Sequence, residues 1–371
     1  MRLPVRTVIY FYIFICVVLL LFNLLYIFRS SSVKKQQQRR IRHWEKYLDS
    51  FAAGSSVWDS EKVFRRLKNV QELMAFYEAI ESREQTQPGE AVAFFKKNHF
   101  TVLALAQAYE EKDIMEQAFF AYVIAAFQPP VGDRQSLLLE YLLSYMDHST
   151  VYSRENILNA LYALGNIQSV EHAFLFMSHR GWYHDSRLLA DGLNRFQGKK
   201  EALAHRLWNC RGQLMECFQV GTIRFSETLS GDGFAEPFLR ALETEELPAE
   251  TQFALVRYFR RHTIPYAQST LLRLLEGKSG GKRELAIAAA ASLASYPGEK
   301  TQQALEEALH SPNWYVRQNA ARSLKTLGVT WTERGPDASM DRYAAEMLEY
   351  ILGVQPAAAG EKKESEALAA V

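Results

Sequence analysis

Apolar residues near the amino terminus form one uninterrupted run. From Val8 to Phe28 the sequence VIYFYIFICVVLLLFNLLYIF contains no charge, and Asn23 is its one strongly polar side chain. As a helix these 21 residues would span roughly 31 Å, which matches the hydrocarbon core of a bilayer. We therefore predict a transmembrane helix over residues 8–28. A cleaved signal peptide is the alternative, but the run is longer than an ordinary h-region and no small-residue cleavage motif follows it.

The rest of the chain has the periodicity of short amphipathic helices arranged in pairs. Near the carboxyl end, Leu305 and Leu309 mark one face of a first helix, and a Ser-Pro-Asn turn leads into a second. The apolar positions of the second helix are Val316, Ala320, Leu324 and Leu327. The preceding pair repeats this pattern, at offsets of 34 and 31 residues, in Leu271, Leu275, Leu285, Ala289, Leu293 and Tyr296. Each pair would be a helical hairpin that buries its apolar faces against its neighbours.

Glycine-containing turns separate these hairpins at regular intervals. They recur about every 33 residues, as expected where a helix ends in a left-handed residue. The glycines are Gly165, Gly198, Gly231, Gly298 and Gly328, and the double interval from 231 to 298 contains two hairpins. The spacing predicts about six helix pairs over residues 136–328.

The last two hairpins resemble HEAT repeats, most clearly over residues 265–328. The VR-x-x-AA-x-x-L core of that family is carried by Val316, Arg317, Ala320, Ala321 and Leu324. The resemblance implies an all-α fold in which helix pairs stack into a right-handed α-solenoid. In HEAT repeats the arginine commonly pairs with an acidic residue of a neighbouring unit. Here Asn313 stands where the family often has Asp, so an ordered ladder of Asp–Arg pairs is not predicted.

Residues 44–135 form a helical amino-terminal region of a different character. Residues from Asp59 to Ser82 predict one long amphipathic helix. Residues 102–130 weakly resemble a tetratricopeptide repeat, and a plain helical hairpin explains them equally well. The matching positions are Leu105, Ala106, Tyr109, Ala118, Tyr122, Ala125 and Pro130.

The carboxyl end is predicted to close the array and then to lose structure. Residues 329–354 form a cap, with a helix from Ser339 to Leu352. Residues 355–371, QPAAAGEKKESEALAAV, have too few large apolar side chains to pack and are expected to be disordered.

The basic residues on either side of the apolar run predict its orientation. Arg2 and Arg6 precede it, and six cations with no acid occupy residues 29–43. The positive-inside rule places the tail of residues 1–7 outside the cell membrane and the body in the cytoplasm, as a single-pass protein of bacterial type. The segment 29–43 would lie against anionic headgroups, or serve only as a stop-transfer flank.

The body itself is acidic. Eight of the 43 Lys and Arg residues lie in the anchor and its flank, which leaves 35 against 42 acids from residue 44 onward, a net charge of −7. This balance argues against nucleic acid as a partner. Cys210 and Cys217 lie seven positions apart in helical sequence. On one helix their Cα atoms would be roughly 10 Å apart, too far for a disulfide, so we predict reduced, buried thiols.

No arrangement of residues in the sequence predicts catalysis, so no catalytic, cofactor-binding or metal-binding residue is assigned. The segment GKSGGK from Gly277 lacks the glycine spacing of a phosphate loop and is predicted to be a surface loop. His172, His179 and His184 lack metal-ligand spacing and are predicted to be exposed or at the edge of the core. Some HEAT-like proteins are enzymes: bilin lyases, a di-iron hydroxylase and DNA glycosylases. The hydroxylase type needs repeated His-Glu pairs, and the glycosylase type needs a cationic groove that the net charge opposes.

Five aromatic residues fall near turns between helices, where a solenoid exposes its ridges: Trp182, Tyr183, Trp208, Trp314 and Tyr315. They could be binding hot spots, but core positions are the preferred interpretation. The sequence as a whole predicts a membrane-anchored, non-enzymatic adaptor whose α-solenoid binds a membrane-associated protein, without a cofactor. The alternative is a HEAT-like enzyme or small-ligand binder at the membrane.

Overall fold

The computed structural model describes residues 5–53, 59–129, 135–277, 283–329 and 342–352. Within these ranges the chain forms nineteen α-helices and no strand, which confirms the all-α prediction. The chain divides into two compact units: Met1–Ala173 with Arg195–Gly198, and Phe174–Asn194 with Lys199–Val371. Most of the GKSGGK loop, Pro130, Ser339 and the predicted tail 355–371 lie outside the described residues.

The first unit contains the helices up to α8. They are α1 Val5–Ala52, α2 Ser60–Leu67, α3 Val70–Thr86, α4 Glu90–Lys97, α5 His99–Glu110, α6 Ile114–Phe127, α7 Gln135–Ser144 and α8 Val151–Leu164. Helix α9, Ile167–His179, contains the boundary between the units.

Helix α1 has an apolar, fully exposed first half. Judged by length and composition, the helix from Tyr10 to Ala52 is long and apolar enough to cross a membrane. A signal sequence near the amino terminus passes the same test. The large apolar side chains from Tyr10 to Phe28 are exposed in the isolated chain. The helix does not end at the apolar run but continues without a break to Ala52.

The second half of α1 packs on α3 as part of the folded unit. Trp44 is 1% exposed and its indole lies edge-on to Phe76, with ring centroids 5.2 Å apart. The indole Nε1–H donates to Glu72 over 3.1 Å, and Arg40 pairs with the same carboxylate at 3.3 Å. The guanidinium of Arg66 lies 5.0 Å from the Trp44 ring centroid. Residues 29–43 are therefore helical, and Arg40 is bound to a body carboxylate.

The single helix predicted from Asp59 to Ser82 is wrong, because two helices occupy this stretch. α2 ends at Leu67, and Asn69 begins α3 by accepting a hydrogen bond from the Gln71 amide through its side chain. An Asn side chain that satisfies a helix amide favours a new start over continuation of the old helix.

The helices of the first unit form two rows. α1, α3, α6 and α8 contact one another in that order, and α2, α5 and α7 form the second row. The segment with the tetratricopeptide resemblance is a helical hairpin of α5 and α6, started by Asp113 as the N-cap of α6. Whether it is a true tetratricopeptide repeat stays a prediction.

The second unit continues the pattern with shorter helices. They are α10 Ser186–Asn194, α11 Lys200–Asn209, α12 Glu216–Ser226, α13 Ala235–Thr244, α14 Ala249–Arg261, α15 Gln268–Leu275, α16 Arg283–Ser292, α17 Glu299–Ala308, α18 Trp314–Thr326 and α19 Arg342–Leu352. We call α10, α12, α14, α16 and α18 the second helices, because each contacts the next in one continuous row. The first helices, α11, α13, α15 and α17, each pack on the second helix that follows.

Hydrogen bonds between neighbouring second helices repeat with the period of the sequence. The Ser292 hydroxyl donates to the Val256 carbonyl at 3.1 Å, and the Ser323 hydroxyl donates to the Ala290 carbonyl at 2.8 Å. These pairs are 36 and 33 residues apart. Buried hydroxyls thus fix each helix to the backbone of the one before it, which sets the register of the row. Within residues 135–326, α7 packs on α8, α11 on α12, α13 on α14, α15 on α16 and α17 on α18. The sixth predicted pair would be α9 with α10.

The predicted glycines have two different roles. Gly165, Gly231, Gly298 and Gly328 adopt positive φ angles. Gly165 and Gly328 stand at helix ends as predicted, whereas Gly298 is the N-cap of α17 and Gly231 lies in the turn between α12 and α13. Gly198 does not adopt a positive φ angle, and its backbone instead lies against Gly165, where a Cβ atom would come 2.6 Å from the Gly165 carbonyl oxygen. Two of the periodic glycines therefore touch one another in the first unit.

The apolar stripes predicted for the last two hairpins are confirmed. Leu305, Leu309, Val316, Ala320 and Leu324 are all buried, and so are the six corresponding residues from Leu271 to Tyr296. Leu327, the last predicted position, is half-buried. Helix α19 packs on α18, in the region predicted to form the cap. The domain boundaries themselves stay a prediction.

Candidate functional site

Successive second helices enclose a groove lined by arginines. Its volume is about 730 Å³, and its walls come from α10, α12, α14 and the 3₁₀ turn Leu293–Ser295 that follows α16. We define the arginine groove by the five guanidinium groups that line it: Arg187, Arg224, Arg257, Arg260 and Arg261. Asp191 and Glu227 are the acids in its lining, so the cations exceed the acids by three.

Close packing of α10 on α12 shapes one wall of the groove. Gly221 of α12 is buried, and a Cβ atom at this position would lie 3.0 Å from the Leu189 Cβ. At the carboxyl ends of the same helices, the Thr228 hydroxyl donates to the Asn194 side-chain oxygen at 2.6 Å. The small residue lets the helices approach, and the hydrogen bond fixes their ends at the rim of the groove.

Only part of the positive charge in the groove is compensated. Arg261 donates to Glu227 at 2.6 Å, and Arg257 lies 3.7 Å from Glu250 in an exposed pair. Among the described residues, the guanidinium groups of Arg187, Arg224 and Arg260 have no hydrogen bond and no ion pair. These three cations are spread over α10, α12 and α14, one on each helix.

Glu227 is the buried acid on the groove floor. Its side chain is 9% exposed, whereas that of its partner Arg261 is 71% exposed. Burial raises the pKa of Glu227, and the nearby positive charges, led by Arg261 and Arg224, offset this only in part. The backbone oxygen of Glu227 also lies 3.1 Å from Nε2 of His262, whose ring stacks on Tyr258. The acid therefore positions Arg261 rather than neutralising the whole groove.

A second pocket, lined by the first helices α11 and α13, contains Arg211, whose guanidinium group is fully hydrogen-bonded. Arg211 forms a two-pronged ion pair with Glu245 and donates to the Trp208 carbonyl at 2.9 Å. Its guanidinium also lies 4.7 Å from the Trp208 ring centroid. All three guanidinium nitrogens of Arg211 donate to protein oxygens, which is the arrangement of a structural contact.

The chemistry available in the arginine groove is anion recognition. Guanidinium groups stay charged at any physiological pH and present a planar set of donors that fits carboxylate and phosphate oxygens. The lining contains no Cys or His, and its hydroxyls belong to Thr228 and Ser295. Ser295 donates to the Arg260 carbonyl at 2.9 Å, so it is engaged with backbone. The side chains that line the groove are therefore suited to holding an anionic group.

Of the five aromatic residues considered from the sequence, only one lies in the core. Trp208 is buried against Phe238, with ring centroids 4.6 Å apart, and Trp182 is half-buried. The preferred interpretation as core is wrong for Tyr183, Trp314 and Tyr315, which are 65%, 45% and 60% exposed. Trp314 and Tyr315 occupy the first two positions of α18, and Val316 beside them is buried.

The predicted histidines and cysteines are separate features. His172 and His179 are exposed as expected, but His184 is buried. Across the described ranges no group of three or more His, Cys, Asp or Glu side chains could hold a metal ion.

Cys210 and Cys217 do not share a helix, because α11 ends before Cys210 and α12 contains Cys217. Neither forms a disulfide, and Cys210 is half-buried while Cys217 is buried.

Arg317, at the family's arginine position, serves its own hairpin. It donates to the Ser311 carbonyl at 2.7 Å, and its guanidinium lies 5.5 Å from the Tyr343 ring centroid. Asn313 caps α18 through its side chain. In the described part of the chain this arginine has no acidic partner, in agreement with the missing Asp.

The arginine groove was not predicted, because a net charge averages over the whole body. The residues from 44 onward carry an excess of seven acids, yet five arginines line one surface. The signal lay in the repeat: Arg224 and Arg257 are 33 residues apart, one structural period. The argument that the net charge opposes a cationic groove is therefore wrong.

Taken together, the helix rows and the groove define an all-α helical-repeat protein with an arginine-lined groove. One hairpin identifies the kind of repeat, because residues 302–329 match the family model of the HEAT repeat. The match covers most of α17 and all of α18, and it confirms the resemblance predicted from the sequence. No match was found among curated proteins or among solved structures.

Proposed function

We propose that this protein is a membrane-anchored, non-enzymatic scaffold whose right-handed α-solenoid binds a partner protein beside the membrane. HEAT repeats generally mediate protein–protein interaction, and one such repeat is present at 302–329. Stacked hairpins cannot bury their faces alone, so the stability of the array produces an extended surface suited to a macromolecule.

The observation that carries the proposal is the continuous row of second helices from α10 to α18. It supports a surface longer than any single helix pair, with a groove that crosses three of these helices and the turn after α16. The groove contains cations and no nucleophile, which favours binding over catalysis. We infer the scaffold function from this surface.

The anchoring part of the proposal rests on α1. Its residues 8–28 are long enough to span a bilayer, and the excess of positive charge in 29–43 favours a cytoplasmic body. Arg29, Lys34 and Lys35 are exposed along α1 and could contact anionic headgroups, whereas Arg40 is held by Glu72. Anchoring would raise the local concentration of the bound partner near other membrane proteins.

The experiment uses the full chain with a carboxyl-terminal affinity tag. We expect it to stay in the membrane fraction after an alkaline wash, and to recover one protein reproducibly after extraction in mild detergent. A reporter fused after Val371 should be active in the cytoplasm. Release by the alkaline wash, or activity of the reporter outside, would refute the anchor or its orientation. Recovery of a copurifying cofactor with no protein would support the enzymatic alternative.

A further inference from the structure

We propose that the arginine groove binds an acidic segment of the partner protein, in extended conformation across α10, α12 and α14. This binding rests on the proposed function, and it specifies which chemical groups of the partner are bound and how they are spaced. It starts from Arg187, Arg224 and Arg260, whose guanidinium groups form no hydrogen bond and no ion pair with the described residues, although Arg224 lies close enough to Glu227 to influence its pKa.

Charge complementarity favours carboxylates as the ligand groups. A cation at the surface is satisfied by water, but three of them facing one groove repel each other until an anion is bound. The one buried acid of the groove, Glu227, is already engaged by Arg261. An incoming carboxylate would therefore meet guanidinium groups that are free to form two-pronged hydrogen bonds.

The spacing of the helices predicts the spacing of the acids. Packed helices lie about 8 to 10 Å apart, so arginines that lie level on consecutive second helices are separated by roughly that distance. An extended polyproline-type segment rises about 3.1 Å per residue with three residues per turn, so residues i and i+3 share a face about 9 Å apart. An acidic residue at every third position would thus place one carboxylate over each helix.

The charge around the groove argues for a short acidic segment over a nucleic acid. Asp191 and Glu227 lie in the lining and Glu250 lies 3.7 Å from Arg257, so a long polyanion that extends beyond the three arginines meets negative charge. A peptide with three acids confines its negative charge to the arginines.

Glu227 offers a change that should strengthen binding. Replacing it by Gln removes one negative charge from the groove floor and releases Arg261, while it keeps the shape of the side chain. Glu227→Gln should therefore bind the acidic peptide a few-fold more tightly, about threefold. A gain of affinity cannot come from partial unfolding, which keeps the proposal testable if the arginine variants are unstable.

The probe is a fluorescein-labelled peptide, Glu-Pro-Pro-Glu-Pro-Pro-Glu, titrated by anisotropy with the full chain in detergent. Its isomer Pro-Pro-Glu-Glu-Glu-Pro-Pro has the same charge and composition with the acids clustered. We expect the spaced peptide to bind several-fold more tightly than the isomer. The double variant Arg224→Gln/Arg260→Gln should weaken its binding at least about tenfold.

The matched control is Arg240→Gln/Arg322→Gln, which removes the same charge from exposed positions of α13 and α18 outside the groove. It should change the affinity less than about twofold, since distant surface charges are screened by salt. Equal weakening by both double variants would overturn the site, and equal affinity for the two peptides would overturn the register. Tighter binding of a short oligouridylate, or of inorganic phosphate, than of the spaced peptide would overturn the acidic protein segment as occupant.

Failure of this inference is distinguishable from failure of the scaffold function. If Arg224→Gln/Arg260→Gln still recovers the partner protein as well as the unmodified chain does, the groove is refuted and the scaffold stands. If the unmodified chain binds the spaced peptide but recovers no protein, the scaffold is refuted while the groove remains an acid-binding site.

Discussion

Replacing Trp44 by alanine tests whether the second half of α1 belongs to the folded body. The indole is buried between α1 and α3, against Phe76 and beneath the Arg66 guanidinium. If this contact joins the anchor helix to the first unit, its loss should destabilise α3 as well as α1.

The expected magnitude follows from the burial of the indole. A Trp side chain buries about 150 to 250 Å², which at about 25 cal/mol per Å² corresponds to roughly 4 to 6 kcal/mol as an upper bound. Measured losses for truncation of core aromatics are about 3 to 5 kcal/mol, which we adopt for Trp44→Ala. Glu72 would keep Arg40 and Arg66 as partners, so the loss of the indole hydrogen bond adds only about 1 kcal/mol within that range.

Two further variants separate the contributions. Trp44→Phe keeps a ring against Phe76 but removes the Nε1–H donor, so it should cost about 1 to 2 kcal/mol. Trp314→Ala removes the same kind of side chain from a position that is 45% exposed, and should cost less than about 1 kcal/mol. Together they control for the hydrogen bond and for the general effect of losing a Trp.

The assay combines urea unfolding of the full chain in detergent with hydrogen exchange read by mass spectrometry. In Trp44→Ala, peptides from α3 and from the end of α1 should exchange faster, while those from α12 to α18 should not change. A loss below about 1 kcal/mol, with unchanged exchange in α3, would refute the packing of α1 on the body and leave α1 as a mere tether.

Three other predictions concern separate features. Gly198→Ala should destabilise by about 1 to 3 kcal/mol in urea unfolding, because its Cβ would lie 2.5 Å from a Phe ring carbon, whereas Gly212→Ala, with open space around it, should not destabilise. Because the pKa of Glu227 is raised on folding, the folded protein binds the carboxyl proton more tightly than the unfolded chain does. Protonation of Glu227 therefore stabilises the fold below about pH 4, and this contribution to the free energy of unfolding is lost as the pH rises. In the same assay, the free energy of unfolding of Glu227→Gln should therefore rise relative to that of the unmodified chain between pH 4 and pH 7. A difference between the two that does not change with pH would contradict this reasoning. Burial raises the pKa of the Cys217 thiol, so iodoacetamide should label Cys210 first and Cys217 only after denaturant is added, with peptide mass spectrometry as the readout.

Local periodicity predicted the helices well because it reports burial directly. Leu305, Leu309 and Val316 recur at helical spacing, and all three are buried in the hairpin that matches the HEAT repeat. Glycines such as Gly165 predicted the turns, since few other residues adopt the left-handed conformation without strain. These signals lie within a few residues of each other and need no knowledge of the tertiary fold.

Features that depend on tertiary contacts were harder to predict. The break before α3 depends on Asn69, whose side chain caps that helix. The apolar positions of α2 and α3 are spaced as in one helix, so they do not indicate the break. The arginine groove brings together residues such as Arg187 and Arg260, which are 73 positions apart in the sequence. Only the helix pairing shows that they share a surface. Trp314 is exposed although an apolar ring favours burial, because it lies off the face of α18 that Val316, Ala320 and Leu324 bury.

The unbroken course of α1 has a geometric consequence for the proposed anchor. From Phe28 to Trp44 the helix rises about 24 Å with about 100° of rotation per residue, so it fixes both the height and the azimuth of the first unit relative to the bilayer. Two residues inserted near Ser31 would rotate that unit by about 200° while lifting it only about 3 Å. Seven inserted residues would lift it about 10 Å but restore the original direction to within about 20°. Helical phase, more than distance, then determines which side of the first unit a neighbouring membrane protein meets.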